Sequence, residues 1–434
     1  MTKSKPIGCL VLLLLAILAS AVRLETISTR PLWADETITK LVVARGSFAE
    51  VIEATETEWW GAHRPLYFAV TYPHMLADAS DASLRLSSVE AGVLTVLVLA
   101  GLGAMLFGRA TGIVAGLLLS LCVYHIEYSQ DARPYALLLL TLTSTAYCLF
   151  AYLATDRRRW LLGFVMTGTA ALYCHHLAVI YQAAFSGVLA IVILQRYLRT
   201  RNEDGTGPSP WSFAWPFVGA HMLMMIFYLP TLPGSLGLIN SANLAAPIDD
   251  PTHMLDLSAR FFWELAGRWG NGTQWSAVYV IMLFVGMVST MLRRDVTLAL
   301  IVWLAVPFIF FAIYPFSGFF DFDIRYAMGA LPPFILLVAV GIVATARVAA
   351  RIAERRVRLP GPFGARVQPA VVGGLTLLLV LLSLFTYAEF RQLKFRCSDF
   401  FRNPEIMKMN DGFCPRHLIL NSIYEDHAFL LRKR

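Results

Sequence analysis

The sequence predicts an all-α protein that crosses a membrane many times. Three observations carry that prediction. Residues of the set AVILMFWYC make up 57% of the 434-residue chain and charged residues only 15%, where ordinary soluble domains hold about 25% charged residues. The mean hydropathy is +0.61. The apolar residues gather into stretches long enough to span a bilayer, which takes roughly 20 residues across a hydrocarbon core of about 30 Å. A disordered chain is excluded, because apolar surface is ample. A disulfide scaffold is excluded because six Cys in 434 residues are too few.

Eleven spans follow in order: 6–23, 86–107, 110–127, 134–154, 160–176, 177–195, 212–233, 275–292, 296–314, 327–346 and 369–387. The first has the look of a signal peptide, with Lys3 and Lys5, an apolar run, then Ala19-Ser20-Ala21. It is read as a retained span because ten more follow. The pair 160–195 is joined only by a tight turn near His175 and His176. Four Cys (Cys9, Cys122, Cys148 and Cys174) fall within spans and are read as small core hydrophobes.

Charge sets the expected orientation. With the N-terminus inside, the inner segments hold Lys3, Lys5, Arg109, Arg157 to Arg159, Arg196, Arg199, Arg201, Arg293, Arg294 and six Arg between 347 and 366. The short outer loops hold Arg133, Arg260, Arg268 and Arg325. That asymmetry obeys the positive-inside rule, and it accounts for the net charge of +7 without a nucleic-acid partner. No zinc-finger spacing and no basic helix with interleaved aromatics is present. Of 29 acids, all but Asp156, Glu203, Asp204, Asp295 and Glu354 fall outside or at the outer boundary.

Two regions are expected: a transmembrane domain, 1–387, with an external loop at about 24–85, and an external tail, 388–434. The tail mixes Arg and Lys with Phe390, Phe395, Phe400 and Phe401, which suits a headgroup layer of anionic lipid. It is expected to pack over the outer loops. Whether its Cys397 and Cys414 form a disulfide stays open. A second external loop, 234–274, contains the sequon Asn271-Gly272-Thr273. The inner stretch 202–210 reads as a flexible linker. No internal repeat supports an inverted-repeat transporter.

Four polar clusters gather at the outer boundary. Loop one opens with Trp33-Ala34-Asp35-Glu36. Helix neighbours at i and i+1 point in different directions, so the two carboxylates are expected to do different work. Asp35 is read as a general base for an acceptor hydroxyl, or else as a helix-capping residue. The second cluster is His63-Arg64-Pro65-Leu66-Tyr67, with Pro65 starting a helix. Arg85 follows at the start of span two, where snorkelling is an ordinary role. The third runs from Tyr124 to Tyr135 and contains Tyr128, Gln130, Asp131 and Arg133. Charges this close to hydrocarbon cost roughly 2.5–3.5 kcal/mol each at the bilayer centre, so such a cluster is expected to line an aqueous site. The fourth is Asp321-Phe322-Asp323-Ile324-Arg325-Tyr326. Its Arg325 offers a planar donor fork suited to phosphate, or an ion pair to a neighbouring acid.

The order of these motifs resembles the GT-C type membrane glycosyltransferases, in the branch with protein O-mannosyltransferases and aminoarabinose transferases. The residues that carry the resemblance are WADE at 33–36, HRPLYF at 63–68, LRLSS at 84–88, YSQDARPY at 128–135, YCHH at 173–176 and RY at 325–326. The likeness is good from about 30 to 190, thin from 200 to 315 and absent in the tail. Departures are Arg64 in place of a family Pro, Gly61 where an acid often stands, and Cys174 and His176 within a Y-T-H-Y segment. The large soluble C-terminal domain of some relatives is lacking.

The resemblance implies a GT-C-like bundle of about eleven transmembrane helices with a helical first external loop. It implies an inverting transfer from a polyprenyl-phosphate-linked sugar to an acceptor hydroxyl on a lipid, glycan or protein at the outer face of a cell (inner) membrane. Asp35 and Glu36 become the catalytic candidates. His63, Tyr67, Arg85, Tyr128, Gln130, Arg133, Tyr135, His175, Arg325 and Tyr326 become the substrate-binding ones. No cofactor is implied with certainty; a divalent metal ion is compatible with the site, but no ligand cluster supports it. Membrane lipids are partners and nucleic acid is not. The competing reading is a transporter or flippase of a lipid-linked envelope precursor, which would also gather acids and Arg in a polar cavity. A third, an envelope scaffold subunit, would leave Asp35 dispensable.

Overall fold

The computed structural model describes residues 5–29, 32–57, 64–200, 209–232, 258–291, 294–313 and 324–357, together with 370–388 apart from 371, 375, 379 and 382. Among the described residues the secondary structure is helical throughout. Helix α1 (Lys5–Leu24) is followed by three short helices, α2 (Ala34–Val43), α3 (Phe48–Thr57) and α4 (Pro65–Ala77). Then come α5 (Asp81–Phe107), α6 (Arg109–Ser120), α7 (Val123–Ser129), α8 (Tyr135–Thr155), α9 (Arg158–Cys174), α10 (Ala178–Thr200) and α11 (Pro210–Tyr228). The later elements are α12 (Ala259–Trp269), α13 (Ser276–Thr290), α14 (Arg294–Ile313), a 3-10 turn (Ile324–Ala330) and α15 (Leu331–Val357), then an apolar helix within Val372–Ala388.

Each of the eleven expected stretches carries a helix, and the first long loop, 24–85, is helical as expected among its described residues. Among the described residues six helices are long and apolar enough to cross a membrane unaided, and the bent pair α6–α7, taken as one span, makes a seventh. Gly8–Leu24, Ser276–Thr290 and Val372–Ala388 are shorter apolar helices. The chain is a multi-pass membrane protein. The bundle is centred on α8 and α15, whose apolar windows are the most deeply enclosed. Close helix approach needs small residues in hydrocarbon: a Cβ on Gly286 of α13 would strike the Leu337 carbonyl of α15, and one on Gly341 would strike that of Met282.

The third expected span, 110–127, is not one straight helix. It breaks at Leu121–Cys122, and α7 leaves α6 at 63°. A broken helix at membrane depth must have its freed backbone groups satisfied inside the protein. Asn271 does this: its Nδ2 donates to the Leu121 carbonyl (3.0 Å) and its Oδ1 accepts from the Val123 N–H (2.7 Å). Asn271 sits at φ 64, a left-handed conformation that Asn tolerates, and is buried. The asparagine of the sequon is thus a splint for the break. Arg23 adds to it from α1, donating to the carbonyls of Ser120 (3.1 Å) and Leu119 (3.4 Å) and meeting His125 Nδ1 at 2.7 Å. The bend turns residues 123–129 to pack against α5, α8 and α12, with the Gln130–Pro134 turn that follows brought to α2.

Candidate active site

The site forms at the end of the bundle where α2, the Asp131–Arg133 turn after α7, the start of α8 and the 3-10 turn meet. Its first piece is set by local helix geometry. Glu36 sits at the third position of α2 and reaches back to accept the Trp33 backbone N–H at 3.4 Å, half of a capping box. Asp35, one residue earlier, points elsewhere, as the spacing predicts.

Glu36 is fully buried and bound to Arg85 of α5. Arg85 Nε and Nη2 donate to the two carboxylate oxygens at 2.7 Å each, and Nη1 donates to the Ile27 carbonyl at 2.8 Å. The Ala132 N–H also donates to Glu36, at 2.9 Å. A bidentate pair of this kind fixes geometry as well as charge. Glu36, expected beside Asp35 as a catalytic group, therefore ties α2, α5 and the Asp131–Arg133 turn together and does not face the open site. Arg85 is not snorkelling either; its side chain is only 1% exposed.

Asp35 is different. Its carboxylate is 29% exposed and lies 3.4 Å from Arg325 Nη1 and 3.7 Å from Arg133 Nε. Arg133 Nη1 also approaches the Asp35 backbone carbonyl at 3.4 Å. The two arginines come from sequence positions nearly 200 residues apart. Each is fixed by its surroundings. Tyr124 donates to the Ile324 carbonyl and Tyr181 to the Tyr326 carbonyl, both at 2.8 Å, which clamps the backbone on either side of Arg325. The Arg325 guanidinium lies over the rings of Tyr135 (5.6 Å) and Tyr326 (5.5 Å), in cation–π range. Ser88 donates to the Arg133 carbonyl at 3.3 Å. Asp131 is buried and accepts from Trp33 Nε1 at 2.7 Å, so the WADE and YSQDARPY segments interlock. The ion pair considered for Arg325 is made with Asp35, and Arg133 shares the same carboxylate.

The remaining expected residues fall into two groups. Tyr135, Tyr326 and His175 stand beside the charged cluster, with the His175 ring 5.3 Å from that of Tyr135. His175 Nδ1 accepts from the Leu177 N–H at 3.1 Å, and this forms the tight turn expected between α9 and α10. Tyr67, Tyr128 and Gln130 support the site from behind. Tyr128 packs edge-on between Tyr124 (4.9 Å) and Tyr135 (5.7 Å). Gln130 Nε2 donates to the Arg23 carbonyl at 2.8 Å and to Thr26 at 2.9 Å. The Tyr67 hydroxyl pairs with Ser88 at 3.0 Å, and burial, the main cause, pushes its phenol up to about 12. Tyr67 is therefore a neutral hydroxyl throughout the ordinary pH range. His63, Asp321, Asp323 and the tail with Cys397 and Cys414 lie outside the described residues.

One cluster was only half visible in the sequence. Arg64 caps α4 and its Nη2 meets Tyr228 Oη at 2.8 Å and His176 Nδ1 at 3.1 Å, while Nη1 donates to the Thr231 carbonyl at 3.0 Å. Two departures from the family motifs, Arg64 and His176, are thus in contact. The signal was present as two odd residues, 112 positions apart, with nothing to join them. Among the described residues no group of three or more His, Cys, Asp or Glu side chains is placed to hold a metal ion.

A partly buried, aromatic-walled cluster of two guanidiniums around one partly exposed carboxylate can bind an anion and accept a proton side by side. Comparisons with known proteins bear on the fold. Residues 65–205 match the family model of dolichyl-phosphate-mannose-protein mannosyltransferases. No curated protein matches the sequence. Among solved structures, the chain is similar to ArnT from Cupriavidus metallidurans in the apo state, at TM-score 0.56 and 16% identity, covering 91% of this chain and 77% of that one. ArnT bound to undecaprenyl phosphate gives TM-score 0.58 and 15% identity over 89% of this chain and 76% of that one. The Archaeoglobus fulgidus oligosaccharyltransferase AglB, in complex with an inhibitory peptide and a dolichol-phosphate, gives 0.53 and 11% over 95% of this chain and 60% of that one. The chain has the polytopic GT-C fold, and over residues 65–205 it carries the sequence pattern of the dolichyl-phosphate-mannose-protein mannosyltransferases.

Proposed function

We propose that the chain is a glycosyltransferase that moves a sugar from a polyprenyl-phosphate carrier to an acceptor hydroxyl, with inversion. The observation that carries this is the convergence of Asp35, Arg133 and Arg325 at one end of the bundle. The donor class is supported by the undecaprenyl phosphate and dolichol-phosphate held by the structural neighbours. In the reaction the acceptor oxygen attacks the anomeric carbon and the bond from that carbon to the phosphate oxygen breaks. The hydroxyl proton passes to Asp35. The phosphodiester leaves as a phosphate monoester with one more negative charge. Arg133 and Arg325 stabilise that growing charge, an effect that preorganised donors deliver without reorganisation. Tyr135, Tyr326 and His175 wall the sugar pocket, and Glu36 acts through Arg85 and Ala132 as a positioning residue.

The active site is assigned to the external side of a cell (inner) membrane, with the N-terminus cytoplasmic. The arginine asymmetry of the inner and outer segments supports this. Cysteine introduced at position 50 should label in intact cells and cysteine at position 205 should not; the reverse pattern inverts the topology.

Donor binding tests the phosphate role directly. Arg325→Gln and Arg133→Gln should each weaken undecaprenyl phosphate binding by about 1.5–3 kcal/mol, the scale of a charge-assisted hydrogen bond, with Lys recovering part. Unchanged affinity together with lowered thermal stability would make both arginines purely structural and remove the basis for the assignment.

A further inference from the structure

We propose that Asp35 and the donor phosphate compete for the same two guanidinium groups, so that arrival of the lipid phosphate releases the Asp35 carboxylate to act on the acceptor. This rests on the donor and base assignments of the proposed function.

The two carboxylates of loop one make the case by contrast. Glu36 holds Arg85 through two contacts of 2.7 Å, fully enclosed. A pair like that is not exchanged, because separating it would leave an uncompensated buried charge. Asp35 offers a single oxygen, Oδ2, to both of its arginines, at 3.4 and 3.7 Å. These contacts are long, single-point and partly open: the Arg325 side chain is 19% exposed and that of Arg133 10%. Ion pairs of this kind are weak.

The arginines are held by groups other than the Asp35 carboxylate. Arg325 is clamped by Tyr124 and Tyr181 through the carbonyls on either side of it, and its guanidinium rests between two aromatic rings. Arg133 is anchored through its own carbonyl by Ser88. A phosphate brings more acceptor oxygens and a geometry that matches the guanidinium fork. It can therefore draw both arginines away from a carboxylate they contact poorly. Until then, Asp35 Oδ2 is already directed at guanidinium N–H groups, and it has less to offer an incoming hydroxyl. After the exchange that oxygen is left for the acceptor. Acceptor activation is in this way tied to the presence of the donor.

The test uses the full chain in lipid nanodiscs with undecaprenyl phosphate as the probe. Asp35→Asn should bind the lipid about tenfold more tightly than the parent chain, a factor that corresponds to about 1.4 kcal/mol. In an Arg325→Gln background, and again in an Arg133→Gln background, the same change should give a markedly smaller gain, since the competitor's target has been removed; such coupling is what a double-mutant cycle measures. Arg325→Lys provides a second background that keeps the charge and should give an intermediate gain. Equal or weaker binding by Asp35→Asn overturns the exchange. So does a tenfold gain that persists in every arginine variant, which would indicate through-space repulsion alone. If the parent chain does not bind undecaprenyl phosphate, the donor assignment itself fails and the exchange fails with it.

Discussion

Asp35→Asn is expected to lower sugar transfer by at least about 10²-fold and up to about 10⁴-fold, the usual contribution of a positioned general base. The substitution keeps the size of the side chain and removes only the charge and the proton-accepting oxygen. It should leave the fold intact. Asp35 is partly exposed, and its two ion pairs are long, so their loss costs the protein little. The backbone around it is held by other groups: Thr39 donates to the Asp35 carbonyl at 3.1 Å, and Glu36 anchors the start of α2. Transfer is measured with purified variants and a synthetic polyprenyl-phosphate sugar, next to a thermal unfolding curve for each. Near-normal turnover by a folded Asp35→Asn variant would remove Asp35 from the mechanism and return the cluster to an ion-pair role. If Asp35→Asn binds donor more tightly yet turns over slowly, the two effects together separate loss of the base from loss of the site.

Much of this arrangement was legible in the sequence because the signals were local. The apolar stretches placed the helices, since bilayer thickness fixes their length. The adjacency of Asp35 and Glu36 required that they face different neighbours. What adjacency could not say was which one would be buried. That is decided by Arg85, 49 residues away, which takes Glu36 into the core. Arg85 itself read as an ordinary boundary residue, because snorkelling and burial share one sequence signature.

The break in the third span was not legible, and the reason is physical. Residues 110–123 are apolar with no Pro to interrupt them, so hydropathy runs straight through the bend. The bend exists because Asn271 and Arg23 satisfy the backbone groups it frees. Those partners lie about 150 and 100 residues away. Likewise Arg64 and His176 are unremarkable singly, and only the packing of α4 against the α9–α10 turn makes them a pair. Residues whose function depends on one another across such separations are hidden from any local pattern. The convergence of polar clusters at one end of the bundle was visible; the pairing within it was not.

The buried Glu36–Arg85 pair predicts the largest loss of stability. Glu36→Gln leaves the Arg85 guanidinium charged, enclosed and without its carboxylate, and breaking a buried pair from one side costs about 3–5 kcal/mol. It also weakens the acceptor that holds the Ala132 N–H, and with it the turn that presents Arg133. Thermal unfolding in detergent or nanodiscs should show the loss directly. Transfer per folded molecule should fall less than in Asp35→Asn, because Glu36 positions groups and does not touch the substrate. Arg85→Lys should fail to rescue stability, since a single ammonium cannot reproduce the two parallel contacts at 2.7 Å and the third to Ile27. Replacing both partners by apolar residues of similar volume, as in Glu36→Leu with Arg85→Met, should be far milder than either single change, because no buried charge is left over. That double variant then isolates the positional role: it should fold, yet bind undecaprenyl phosphate less tightly, as the Asp131–Arg133 turn loses its anchor. A Glu36→Gln protein as stable as the parent chain would mean that Arg85 finds another anion or water to satisfy it, and that α2 is held by its apolar contacts alone.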